Sequence, residues 1–114
     1  MGTDQFRDIV KSTLKEFVDI PNQSSTTQDR TVFDDESGVY QWCNYGWQDL
    51  KRIFNVVVHI EIRDDLVWIE RNASKIEIGE VLAERGIPKN QIVLGFQAPY
   101  KRGLHGFSTG EILH

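Results

Sequence analysis

Residues 54–63 constrain the fold of this chain more than any other stretch. Phe54, Val56, Val58, Ile60 and Ile62 alternate there with Asn55, Val57, His59, Glu61 and Arg63. Successive side chains of a β-strand point to opposite faces, so the pattern reads as a half-buried strand with the first set on the core. A polar second face fits a sheet covered on one side only, which is common for antiparallel sheets. Arg63-Asp64-Asp65 then turns the chain into a partner strand, Leu66-Val67-Trp68-Ile69-Glu70.

The neighbouring segments extend the same sheet. Thr31–Asp34 reads as a short strand and residues 39–47 as a longer one, joined by Glu36-Ser37-Gly38. Gly46 inside the longer strand marks a bulge or a close backbone approach. Gln48-Asp49-Leu50 turns the chain into the alternating strand, and residues 22–29 read as an exposed polar loop.

Two helices flank the strands. Phe6, Ile9, Val10, Leu14, Phe17 and Val18 recur with a helical period, predicting a helix over 4–20 with Thr3 as N-cap and Pro21 as its stop. A second helix is predicted over 75–85: Ser74-Lys75-Ile76-Glu77 matches a capping box, Gly86 suits the end, and Pro88 bars continuation. Ile92-Val93-Leu94 is a candidate last short strand, and residues 95–114 have no clear period. Strands grouped in sequence with short connections predict one domain over residues 1–114. Its class is α+β and two-layer: an antiparallel meander of about four strands with both helices on one face.

Charge and cysteine content narrow the function. Thirteen Lys and Arg against seventeen Asp and Glu leave a net charge of −4, unfavourable for broad capture of DNA or of an anionic membrane. A single cysteine, Cys43, excludes an intrachain disulfide and a cysteine-rich zinc module, and fits a reducing, cytoplasmic setting. No apolar run approaches the ~20 residues that span a bilayer.

The candidate chemical groups are few. His59 and Glu61, two apart on a strand, share its outer face and could polarise a proton transfer; a solvated polar face is the plainer reading. No third ligand stands at a useful spacing, so no metal and no cofactor is expected. Asp34, Asp35 and Glu36 form an acidic run without calcium-loop spacing, and Ser74 reads as a cap, not a nucleophile. Cys43 reads as structural. Glycines 95, 103, 106 and 110 match no phosphate loop.

The tail is more telling. Residues 86–110 hold no acidic side chain, yet carry Lys89, Lys101, Arg102 and His105 beside Phe96, Tyr100 and Phe107. Interleaved aromatic and basic residues suit nucleic acid or an acidic protein surface. Three firm positive charges are few for DNA, which favours a protein contact with Phe96, Tyr100, Lys101 and Arg102 as its candidate residues. A tail that merely packs back on the sheet is the bland alternative.

At this point the residues carry a family resemblance. The succession Phe33-Asp34, Tyr40-Gln41, Gly46-Trp47, Arg52, His59-Ile60, Val67-Trp68-Ile69, then Gly86-Ile87-Pro88-Lys89 and Ile92-Val93-Leu94-Gly95-Phe96, with Pro99 and Arg102, resembles the XisI proteins. These are the fdxN element excision controlling factors of cyanobacteria. The resemblance implies an accessory factor in programmed DNA excision during heterocyst differentiation, often found beside an XisH protein. It supplies no catalytic residues. It implies a non-enzymatic chain acting through an XisH-like protein partner, with weak or no direct nucleic-acid binding. A homo-oligomer is left open. The competing class is a small enzyme or ligand-binding domain with a pocket around His59, Glu61 and Trp68, drawing on the aromatic set Trp42, Tyr45, Trp47 and Trp68.

Overall fold

The structure, a computed structural model, describes residues 2–20 and 26–110. Five strands form one sheet in chain order: β1 (Thr27–Asp34), β2 (Val39–Gln48), β3 (Lys51–Arg63), β4 (Leu66–Asn72) and β5 (Ile92–Leu94). The first four are the antiparallel meander expected from the grouped strands. The fifth corrects the count. β5 runs parallel to β4, because the helix α2 (Ile78–Glu84) carries the chain across before it returns to the sheet.

Helix α1 (Thr3–Val18) and α2 share one face of the sheet. Phe6, Val10 and Leu14 of α1 and Ile78 and Leu82 of α2 join Val58, Ile60, Ile62, Val67 and Ile69 in a single buried cluster. Arg85 ties the two helices together, donating to Glu16 at 2.8 Å and to the buried Thr13 hydroxyl at 3.3 Å. Both helices are shorter than their sequence patterns predict. Gly2, not Thr3, is the N-cap of α1, and the Thr3 hydroxyl donates instead to Asp65 at 2.9 Å. Ser74 does not cap α2 either. Its hydroxyl donates to Asn72 and accepts from the Ile76 amide, closing a turn ahead of the helix. The other end of α2 follows expectation: Gly86 sits at positive φ, and the Gly86 and Ile87 amides donate to Ala83 and Leu82.

The alternating strand differs from its pattern at one residue. Between Trp42 and Cys43 of β2 the register jumps from Val58 to Val56, so Val57 is an extra residue in β3. A bulge reverses the faces beyond it. Val57 packs against the core, and Phe54, predicted to be core, is 68% exposed. Val58, Ile60 and Ile62 keep the predicted face. Beyond the bulge β2 and β3 continue to the Asp49-Leu50 turn as a ribbon that β1 flanks as far as Gly46, within a molecule 52 Å long and 28 Å and 24 Å across. Gly46 has the close approach its type suggested: a Cβ there would collide with the Thr26 carbonyl and the Thr27 backbone.

β1 begins at Thr27, earlier than predicted, so the polar 22–29 stretch is partly strand, while its residues 22–25 lie outside those described. The hairpin turns of the sheet place residues at positive φ, Asp49 among them in the β2–β3 turn. Asp64 and Asp65 form the β3–β4 turn, and Gly38 closes the β1–β2 turn while the Asp34 carboxylate accepts from the Glu36 and Ser37 amides.

Candidate functional site

His59 and Glu61 stand on the sheet face opposite the helices, as their alternation with Val58, Ile60 and Ile62 requires. His59 pairs across the ladder with Gln41, whose amide nitrogen lies 2.8 Å from the ring Nδ1. The ring Nε2 is 2.9 Å from the Glu61 carboxylate, which also accepts from Arg63 at 2.8 Å. With a neutral ring, Nδ1 accepts from Gln41 while Nε2–H donates to Glu61. The hydrogen bond from His59, reinforced by the charge of Arg63, holds the Glu61 carboxyl below its usual range against the opposing effect of burial. Both ring nitrogens are therefore engaged within the protein. The Cys43 thiol points at Gln41, 3.7 Å away, and burial pushes its pKa up, away from the thiolate a nucleophile needs.

The four aromatic residues assigned to a pocket there by the competing reading are dispersed. Trp42 stacks on Phe17 of α1, whereas Tyr45 meets Phe54 and Trp47 meets Arg52 on the ribbon. Only Trp68 is near the His59 network, with the Arg63 guanidinium 4.2 Å from its ring centroid. The acidic run is similarly occupied. Asp34 closes its turn, and Asp35 accepts from Lys11 and from the Tyr40 hydroxyl, each at 2.9 Å.

The tail separates its four candidate residues. Phe96 and Tyr100 are surface aromatics, 44% and 81% exposed, and the Lys101 ammonium lies 5.6 Å over the Tyr100 ring. Arg102 turns inward. It donates to the carbonyls of Gln97 and Gly95 and covers the Trp68 ring, so its side chain holds the tail to the sheet. Lys89 is also engaged, by Glu80 at 3.1 Å and by the His105 carbonyl. Phe107 is core, packed against Gly79 of α2. Between α2 and the tail runs a cleft of about 250 Å³ lined by Glu77, Phe96, Gln97, His105 and Phe107 among others.

Two groups of exposed residues were not read as surface in the sequence: Leu104 went unremarked, Leu50 was placed only in a turn, Phe54 was assigned to the core and Trp47 to a pocket. Leu104, 56% exposed, extends the Phe96 and Tyr100 surface. Trp47, Leu50 and Phe54 are exposed on the ribbon at 53%, 97% and 68%. The available signal was length: a strand of thirteen residues outreaches a helix of seven.

Comparisons with known proteins bear on this arrangement. A family model described as XisI protein matches residues 2–109. The crystal structure of a XisI-like protein from Anabaena variabilis is 34% identical, with a TM-score of 0.85 over 91% of this chain and 95% of that one. The crystal structure of fdxN element excision controlling factor XisI, also from Anabaena variabilis, is 30% identical, with a TM-score of 0.81 over 94% and 97% of the two chains. No curated protein sequence matches the chain.

Proposed function

The chain belongs to the XisI family, and we propose that it serves as a non-enzymatic accessory factor in excision of a DNA element, acting through a protein partner. Similarity to the excision controlling factor along nearly the whole of both chains supports the excision role. The observation that carries the mode of action is the tail surface, where Phe96, Tyr100 and Leu104 present apolar side chains to solvent beside Lys101. Aromatic anchors in a patch with a charged rim are the usual material of protein hot spots. Net charge of −4 favours such a contact over DNA, because Lys89 and Arg102 are already engaged inside the chain. The engaged ring of His59, on an open sheet face, argues for a structural role there over proton transfer.

The partner this reading names is an XisH-like protein. The test is co-purification of the two chains, followed by titration with variants. Tyr100→Ala and Leu104→Ala each weaken the complex by about tenfold, a loss of about 1.4 kcal/mol. Trp47→Ser on the ribbon leaves it unchanged. Tight duplex-DNA binding by the isolated chain at about 0.15 M salt would overturn the reading, since screening at that ionic strength acts beyond ~8 Å.

A further inference from the structure

β1 is an open sheet edge. Among the described residues it pairs with β2 alone, over eight residues and without a bulge. Among the described residues, Arg30–Asp34 make no backbone hydrogen bond outside that ladder. The opposite edge is managed differently: β5 has three residues, and Ser108 of the tail bridges it at Val93. Long unpaired edges invite another strand, and proteins usually block them with proline, bulges or short length. Between Arg30 and Asp34 none of these occurs, and of the charged side chains that also serve as blocks the exposed face carries Arg30 and Asp34.

The charges on this edge are arranged to attract a copy of itself. Its exposed face carries Arg30, Val32 and Asp34, with Val32 49% exposed. Arg30 makes no hydrogen bond or ion pair among the described residues. The Asp34 carboxyl, held below its usual range by the hydrogen bonds of Ser37, stays ionised. We propose that two copies of this chain pair through β1, antiparallel about a two-fold axis at Val32, to make one continuous sheet.

The register follows from which side chains would face each other. Across an antiparallel pair with a two-fold normal to the sheet, opposite residues share a face. Centring on Val32 sets Arg30 against Asp34 of the partner subunit, and Asp34 against Arg30 of the partner subunit, with the two valines between. Centring on Arg30 or on Asp29 sets a charge against its own copy, which is destabilising. Centring on Thr31 brings Asp29 against the half-buried Phe33 of the partner subunit. The Val32 register alone among these four pairs opposite charges.

The contact is small, so the dimer forms in the micromolar range and the register is its signature. Sedimentation equilibrium of the full chain should show the 13.2 kDa monomer when dilute and a dimer by about 0.1 mM. Arg30→Asp and Val32→Lys, both on the exposed face, should each weaken the dimer at least about tenfold while thermal melts show a folded chain. In a Cys43→Ser background, Val32→Cys should cross-link under mild oxidation. Gln28→Cys should not, because this register holds it about 27 Å from its copy. A monomer at every concentration, a dimer indifferent to both exposed-face variants, or equal cross-linking at Gln28 would each overturn the proposal.

Discussion

Arg102 reaches from the tail to within 5.7 Å of the Trp68 ring centroid on β4, while its guanidinium donates to Gln97 and Gly95 at 3.1 and 3.3 Å. One side chain thus joins the tail both to itself and to the outer face of the sheet. Arg102→Ala should lower stability by about 1–3 kcal/mol, the cost of leaving two carbonyls without their charged donor. Tyr100→Ala, two residues earlier and 81% exposed, should change it by less than about 0.5 kcal/mol. Denaturant titration of the two variants checks both. Equal effects would mean that the tail surface and its anchor are one unit.

The bulge at Val57 makes opposite predictions for two residues of one strand. Val58→Asp buries an unpaired charge at a fully buried position and should leave the chain unfolded. Phe54→Asp, on the same face by simple alternation, should fold, because the bulge has moved that position into solvent. Circular dichroism of both variants decides it. Loss of fold in the second would restore the unbroken alternation.

Tyr40 and Asp35 give the fold a dependence on pH at both ends. Burial, with the Asp35 hydrogen bond, pushes the Tyr40 phenol up from 10.0 to about 12. A raised pKa stabilises the neutral form, so that contribution is complete below about pH 10 and is lost as pH rises toward 12. Hydrogen bonds from Lys11 and Tyr40 hold the Asp35 carboxyl low, so its contribution is present at neutral pH and lost as pH falls below about 4. Thermal midpoints measured against pH should therefore fall at both extremes, and Tyr40→Phe should flatten the alkaline limb.

Gly46→Ala should cost about 1 kcal/mol or more, since the new methyl would meet the Thr26 carbonyl and the Thr27 backbone. The Trp47 amide bonds that same carbonyl at 3.1 Å, so relief by moving the strand breaks a hydrogen bond. Melting of the variant measures it; an unchanged midpoint would mean that the β1 start yields freely.

Elemental analysis of protein purified without chelator should find no stoichiometric zinc. One equivalent, lost on His59→Ala, would move the outer-face network from structure to chemistry and favour a ligand-binding or enzymatic reading.

Local sequence was sufficient for the elements whose signals are local. The two-residue Asp64-Asp65 turn, the Gly86 helix end and the inward set Val58, Ile60 and Ile62 depend on backbone preference and on alternation, which few neighbouring residues settle. The outer-face partnership of His59 and Glu61 was legible for the same reason, because residues two apart on a strand must share a face. The resemblance in the chain's scattered motifs likewise reached the family that the XisI model matches over residues 2–109.

Tertiary packing decided everything that depended on distant partners. Phe54 had a core pattern, but a single extra residue opposite Trp42 and Cys43 turned it outward, and no local preference announces where two strands slip. Arg102 had the composition of a hot spot, but only the folded tail brings Trp68 under it. By itself the sequence determined the order in which strands, turns and helices follow one another, because those choices are made within a few residues. Only the tertiary structure decided which face each segment shows and which charges remain for a partner, because burial and pairing belong to residues far apart in the chain.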